Sequence, residues 1–119
     1  MESIQLVLSD PAKAETLRSL LARSTATAVD CLESPDFESA CVVVMDWARF
    51  RQLGSALARP ERLVLITSND AGQIREAWEA GVNSVLSEQD SFNTVVLAIL
   101  GACLHAGGGK ARPAEQKAL

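Results

Sequence analysis

The sequence has little positive charge, one histidine and no long hydrophobic run. Its 11 lysines and arginines face 15 aspartates and glutamates, which gives a net charge of −4. Such a chain does not attract phosphate backbones, so direct nucleic-acid binding is not expected. No window reaches the roughly 18 apolar residues of a membrane span, and the start, MESIQLVLSDP, lacks the pattern of a signal peptide. The sequence therefore predicts a cytoplasmic protein that does not enter a membrane.

Histidine and cysteine chemistry has few side chains to use. His105 is the only histidine, and neither a metal site nor a Ser-His-Asp triad has the partners that it would need nearby. The three cysteines, Cys31, Cys41 and Cys103, are odd in number, widely spaced and set among apolar residues. This pattern predicts reduced thiols in the core.

At 119 residues the chain has the length of one domain. Apolar and β-branched runs predict five strands, at residues 3–9, 25–32, 41–46, 63–67 and 84–86. Helices are predicted after the start signal Ser9-Asp10-Pro11, over 49–58, after Asn69 or Asp70, and over 92–105. The helix after residue 70 is expected to turn Ile74, Ala77 and Trp78 inward and to end at Gly81. Residues 33–39, which include Pro35, favour a loop or one helical turn.

Strands that alternate with helices predict parallel βαβ units, hence an α/β fold with three layers and a doubly wound sheet. The run CVVVMD is apolar on both faces, which places it in the middle of the sheet with Asp46 at its end. In such sheets the functional crevice lies beyond the carboxyl ends of the strands. We expect Asp10, Asp46 and either Thr67 or Ser68 at that rim.

Residues 3–106 resemble the receiver domain of bacterial two-component response regulators. LVLSDPAKAETLRSLLAR is similar to the first strand and helix of that family, CVVVMD to the strand that carries the phosphoacceptor, and LVLITS to the fourth strand. EAWEAGVNSVLSE is similar to the passage into the fifth strand. The resemblance implies a flavodoxin-like strand order, 2-1-3-4-5, here with shortened second and third helices. Residues 1–106 would form the domain and 107–119 a flexible tail or linker.

The resemblance also implies a phosphorylation site, from which this sequence departs. Asp46 occupies the place of the phosphoacceptor. Leu8 and Ser9 replace the two carboxylates that hold Mg²⁺ in the family, and Asp10 comes one position later. The donor set is therefore expected to bind a cation weakly.

Three further family positions lie on the fourth and fifth strands. The hydroxyl residue corresponds to Thr67, or to Ile66 if the alignment admits no gap. The conserved lysine is replaced by Glu88 and the aromatic switch residue by Val85. Because Lys13 is the only lysine before the tail, no cation is expected at the end of the fifth strand.

These departures favour a pseudo-receiver with no enzymatic activity and no cofactor, acting as a phosphorylation-independent interaction or dimerisation module in bacterial signalling or transcriptional regulation. Asp46 would then hydrogen-bond loop amides, or simply end its strand in solvent. Two alternatives stay open. One is a phospho-accepting receiver that uses Asp46, with Mg²⁺ held by Asp10 and Asp46 and a histidine kinase or output domain as its partner. The other is a small α/β enzyme or ligand-binding domain.

The last helix is apolar around its circumference, whereas a surface helix shows a polar stripe. Either both of its sides are buried or a partner covers it. In the family the surface of the fourth helix, fifth strand and fifth helix binds dimer partners and output domains, so a homodimer or a bound protein is expected there. The predicted contact residues are Val95, Val96, Ile99, Leu100 and Cys103. Trp47, directly after Asp46, would plug the emptied pocket or anchor a partner.

Overall fold

The computed structural model describes residues 3–53, 60–68, 70–82 and 84–107, with the backbone alone for 105–107. The strands are β1 (Ser3–Val7), β2 (Val29–Cys31), β3 (Ala40–Asp46), β4 (Leu63–Thr67) and β5 (Ser84–Ser87). The helices are α1 (Pro11–Ser24), α2 (Trp47–Leu53), α3 (Ala71–Glu79) and α4 (Phe92–Gly107), with a 3-10 turn at Pro60–Arg62. All neighbouring strands pair in parallel, in the order β2-β1-β3-β4-β5. The predicted fold class and strand order are confirmed.

The sheet separates two apolar cores, because successive strand side chains point to opposite faces. On one face Val42 and Val44 of β3 pack with α1 and α4. On the other face Val43 and Met45 pack with α2 and α3. Burial of each such side chain contributes roughly 1.5–3 kcal/mol relative to exposure. This two-sided burial explains why CVVVMD shows no alternation of polar and apolar residues.

Two aspartates start helices, as the sequence predicts. Asp10 caps α1, with Pro11 as the first helical residue, and Asp70 caps α3. Each carboxylate accepts hydrogen bonds from two backbone amides of the first helical turn. Gly81 follows α3 with a φ of 96°, a conformation that costs glycine little. The alternative cap, Asn69, lies outside the described residues.

The orientation predicted for Trp78 was wrong. Ala77 is the fully buried residue of α3, whereas the Trp78 side chain is 65% exposed. Neighbouring helical residues point about 100° apart, so a short helix that meets the sheet along Ala77 turns Trp78 toward solvent. Ile74 is half-buried.

The crossover from β2 to β3 contains no helix among residues 32–39, which confirms the shortened second helix. The buried side chain of Gln5 holds this loop. Its amide nitrogen donates to the carbonyl of Asp36 (2.9 Å), and its amide oxygen accepts from the Asp36 N–H (2.8 Å). Phe37 fills the space beneath the loop. Arg62 donates from Nη1 to the carbonyls of Phe37 (3.4 Å) and Ala40 (2.8 Å).

Other elements begin or end at residues different from the predicted ones. β2 has three residues instead of the predicted run over 25–32 and is largely exposed, as suits an edge strand. α2 begins directly after β3, two residues before the predicted start. Its predicted continuation to residue 58 and the tail from residue 108 onward lie outside the described residues. Within the described residues no helix is long and apolar enough to cross a membrane.

The prediction of three reduced core thiols was wrong. Cys41, at the start of β3, and Cys103, on α4, form a disulfide with a Cα–Cα distance of 5.1 Å, within the usual range for such bonds. Cys31 is a free cysteine and is exposed on the edge strand β2. The pair is separated by 62 residues in sequence, and only the packing of α4 over β3 brings the two sulfurs together.

Candidate functional site

Asp46 lies at the carboxyl end of β3, and both of its carboxylate oxygens accept hydrogen bonds. Oδ2 accepts from the Ser9 backbone N–H (2.8 Å) and from the Ser9 hydroxyl. Oδ1 accepts from the Arg49 backbone N–H (3.0 Å), in the first turn of α2. The expectation that Asp46 bonds loop amides is confirmed. The Asp46 carboxylate therefore links the β1–α1 loop to the start of α2.

The positions that correspond to the family's acid pair carry no carboxylate. Leu8 is 7% exposed and belongs to the core beneath α1 and α4. Ser9 donates to Asp46. Asp10 uses Oδ1 to accept from the backbone N–H groups of Ala12 (3.0 Å) and Lys13 (3.4 Å), so its side chain caps α1.

This donor set is poorer in carboxylates than the family's, and carboxylate oxygens are the protein ligands that Mg²⁺ prefers. Leu8 supplies no oxygen, and the Asp46 carboxylate already accepts three hydrogen bonds. Within the described part of the chain, no group of three or more His, Cys, Asp or Glu side chains is placed to hold a metal ion.

The strand register puts Ile66, and not Thr67, beside Asp46. Asp46 and Ile66 are register partners between β3 and β4, and strand alternation gives both residues the same face of the sheet. Thr67 is buried, and its hydroxyl donates to the carbonyl of Leu86 on β5 (3.1 Å). The register therefore favours the alignment without a gap, in which an apolar side chain stands in the place of the family's hydroxyl.

Glu88 follows the end of β5. Glu88 is exposed, and its backbone N–H donates to the carbonyl of Thr67 (2.7 Å). Lys13 of α1 lines the same cavity of about 200 Å³ as Glu88, which we call the Lys13 cavity. Lys13 forms no ion pair with Glu88 or Asp90 in the part of the chain that the structure describes, so the absence of a cation at the end of the fifth strand stays a prediction. Val85 is half-buried and packs against the core beneath α2 and α3.

Trp47 packs on its own helix and against the core beneath α2 and α3. Its ring lies 5.2 Å from that of Phe50, centroid to centroid, and the Arg51 guanidinium carbon lies 6.0 Å from the Trp47 ring. The side chain is half-buried. None of these contacts joins the ring to Asp46, so they do not support a plug in the pocket beside that acid.

Most of the predicted contact residues of α4 belong to the protein's own core. Val95, Val96 and Ile99 are 4%, 7% and 0% exposed. Cys103 is in the disulfide, and Leu100 is half-buried. Their assignment to an interaction surface is corrected, because these residues form the inner side of α4.

The exposed apolar residues are ones that the sequence interpretation did not select. Leu97 and Leu104 on the outer side of α4 are 70% and 78% exposed, and Trp78 and Phe92 also face solvent. Helical spacing gives the signal, since Leu97 and Leu104 are seven residues apart and share one side of the helix. We call Trp78, Phe92, Leu97 and Leu104 the apolar surface.

No family model and no curated protein matches the sequence. Solved structures match by fold. The fold is that of receiver domains. A signal receiver domain of two-component signal transduction (histidine kinase) from Clostridium thermocellum superposes with a TM-score of 0.68 at 13% identity, covering 86% of this chain and 97% of that one. FixJ-N (TM-score 0.63, 20% identity) covers 88% and 95%, and a response regulator receiver protein from Burkholderia phymatum (0.64, 20%) covers 87% and 95%.

The resemblance described above implies a phosphoacceptor at the end of the third strand, where this chain carries Asp46. The structure places Ser9 in hydrogen-bond contact with that acid and Ile66 beside it on β4.

Proposed function

We propose that this chain is a degenerate receiver domain that binds a protein partner without phosphorylation of Asp46, in bacterial signalling or transcriptional regulation. The observation that carries the proposal is the bonding of the Asp46 carboxylate, whose two oxygens are held by Ser9 and Arg49. Residues 1–106 would be the receiver-like domain and 107–119 a linker or tail. A cytoplasmic location and the absence of enzymatic activity belong to the same proposal.

Phosphoryl transfer to either Asp46 oxygen would disturb these hydrogen bonds. A hydrogen bond to a charged group contributes about 1.5–3 kcal/mol, so releasing one Asp46 oxygen for attack costs an amount of that order before chemistry begins. The phosphoryl group then needs cations to neutralise its developing charge. Leu8 and Ile66 supply none, and Glu88 adds a negative charge near the end of β5.

The partner would bind the face formed by α3, β5 and α4, which includes the apolar surface. Because this chain has one helix fewer, its α3, β5 and α4 correspond to the family's fourth helix, fifth strand and fifth helix. The resemblance described above implies that receiver domains bind their partners through that surface. Contiguous exposed apolar patches mark interaction sites, whereas single exposed apolar residues are normal, so the supporting observation is that Leu97 and Leu104 are both exposed on one side of α4. A homodimer is the simplest occupant, and an output domain or another protein is the alternative.

The phosphorylation test uses the purified full chain with acetyl phosphate, and separately beryllofluoride, each with Mg²⁺. We expect no added phosphoryl mass and no beryllofluoride-dependent change in amide spectra. The Asp46→Asn variant is the control for modification elsewhere. Stoichiometric modification that Asp46→Asn abolishes would establish the alternative, a phospho-accepting receiver, for which the position of Asp46 at the end of β3 is the supporting observation.

The association test is sedimentation of the wild type and of a Leu97→Ser, Leu104→Ser double variant. We expect a dimer that the double variant weakens by at least about tenfold, since loss of two buried leucines removes several kcal/mol of apolar burial. Leu32→Ser, at a residue 36% exposed beside β2, is the matched control and should leave association unchanged. A wild type that stays monomeric at high concentration would exclude the homodimer.

A further inference from the structure

The Lys13 cavity lies at the carboxyl ends of β4 and β5, between α1 and the start of α4. One wall is apolar and consists of Leu17, Ile66, Phe92 and Val95. The other wall carries charges of both signs, from Lys13 on α1 and from Glu88 and Asp90 in the β5–α4 turn. A concave site with an apolar wall and a few convergent polar groups is the usual form of a small-ligand site.

Lys13 is placed where stability alone would not put it. It lies in the first turn of α1, at the positive end of the helix dipole, where cations are unfavourable. The side chain is half-buried, and within the described residues it takes part in no ion pair. Side chains that break a local rule without compensation tend to mark functional positions.

The two acids are presented by a turn that backbone hydrogen bonds hold in place. The Asp90 N–H donates to the Ser87 carbonyl (3.0 Å), and the Ser87 N–H donates to Oδ2 of Asp90 (3.0 Å). The bond from Glu88 N–H to the Thr67 carbonyl ties the same turn to β4. A ligand would meet an Asp90 carboxylate that is already positioned, which lowers the entropic cost of binding.

The size and the charges of the cavity define its ligand. An apolar cavity of about 150 Å³ holds benzene, so about 200 Å³ suits a molecule of roughly eight or nine heavy atoms. Lys13 complements a carboxylate, Glu88 and Asp90 complement an ammonium group, and the opposite wall complements an aliphatic chain. We propose that the Lys13 cavity binds a small aliphatic amino acid as its zwitterion.

This proposal goes beyond the function proposed above and does not depend on it. Neither phosphorylation nor dimerisation enters the argument, and no apolar-surface residue except Phe92 lines the cavity. A protein with no partner could still bind the amino acid, and a dimer could fail to bind it.

The test is a titration of the full chain with L-leucine, followed by amide chemical shifts. We expect saturable shifts at Leu17, Ile66 and Ser87, with a dissociation constant of about 1 mM or lower. 4-Methylpentanoate lacks the amine and isopentylamine lacks the carboxylate, so each should bind at least about tenfold more weakly. Absence of saturable shifts up to about 10 mM leucine, or equal binding of either analogue, overturns the proposal.

Matched variants test which charged side chains bind the ligand. Lys13→Met and Glu88→Gln should each weaken leucine binding at least about tenfold, because each removes one charged hydrogen-bonding group and nearly keeps its shape. Arg23→Met, in the exposed last turn of the same helix, should bind as the wild type does. Wild-type affinity in Lys13→Met would also overturn the proposal. The analogue series on the wild type decides the question even if a variant folds poorly.

Discussion

The side chain of Gln5 forms two hydrogen bonds with the backbone of Asp36, one through its nitrogen and one through its oxygen. Gln5 is 2% exposed and lies in the middle of β1. The side-chain amide of Gln5 bonds one N–H and one carbonyl of the loop over 32–39, as the backbone of a neighbouring strand would do. The loop thereby covers a part of the sheet where receiver domains have a helix.

Replacing Gln5 by leucine should destabilise the fold by about 1–3 kcal/mol, because the Asp36 N–H loses its partner and the Asp36 carbonyl keeps only the Ser39 N–H, while the core gains little. Urea unfolding measures the change. Gln89→Leu, at an exposed position of the β5–α4 turn, is the control and should change stability by less than about 0.5 kcal/mol. Equal effects of the two substitutions would show that the loop does not depend on Gln5.

A second carboxylate beside Asp46 should restore sensitivity to magnesium. In Ser9→Asp, Asp46 loses the hydrogen bond from the Ser9 hydroxyl, and the two carboxylates repel each other. Without Mg²⁺ the variant should therefore melt at a lower temperature than the wild type. Mg²⁺ should raise the melting temperature of Ser9→Asp more than that of the wild type. Ser9→Asn, which has the same shape without the charge, should show no such rise. A Ser9→Asp variant indifferent to Mg²⁺ would mean that Leu8 or Ile66, rather than charge, prevents metal binding.

Reduction of the Cys41–Cys103 disulfide should lower the free energy of unfolding. For a closed loop of 62 residues, chain entropy predicts a loss of about 4 kcal/mol, with measured values commonly 2–4 kcal/mol. The measurement is urea unfolding with and without a phosphine reductant, in a Cys31→Ser background that prevents exchange. Cys103→Ser should remove the effect of the reductant, and a wild type equally stable in both conditions would contradict the prediction. In a reducing cytosol this bond is not maintained, so the same experiment gives the stability of the chain there.

Cys31 should react slowly for an exposed thiol. Partial burial raises its pKa above the ordinary value, while the positive charge of Arg18 acts in the opposite direction and lowers the pKa. Because the thiolate is the reactive form, labelling by a disulfide reagent near neutral pH should be slower in the folded protein than in urea. Arg18→Met should slow it further, and Lys13→Met, at a residue of the same helix that does not perturb Cys31, should not. A folded rate equal to the unfolded one would refute the shift.

Local sequence patterns predicted the strands and helix starts, whereas features that depend on contacts between distant residues were not predicted. Apolar runs such as CVVVMD and LVLIT predict buried strands, and Asp10 and Asp70 predict helix starts, because these signals act within a few residues. The positions of Lys13, Cys103 and Trp78 depend on which side of one element meets another. A single sequence contains little information about that geometry. The Asp46 carboxylate finds backbone amides because the β1–α1 loop and the start of α2 both lie at the carboxyl end of β3.

Arg62 stands at the opposite end of the sheet from Asp46, where it connects the start of β4 with the loop that precedes β3. These Arg62 hydrogen bonds are remote from the rim at the carboxyl ends of the strands. Side chains at that rim can therefore be exchanged without loss of the Arg62 hydrogen bonds at the opposite end of the sheet.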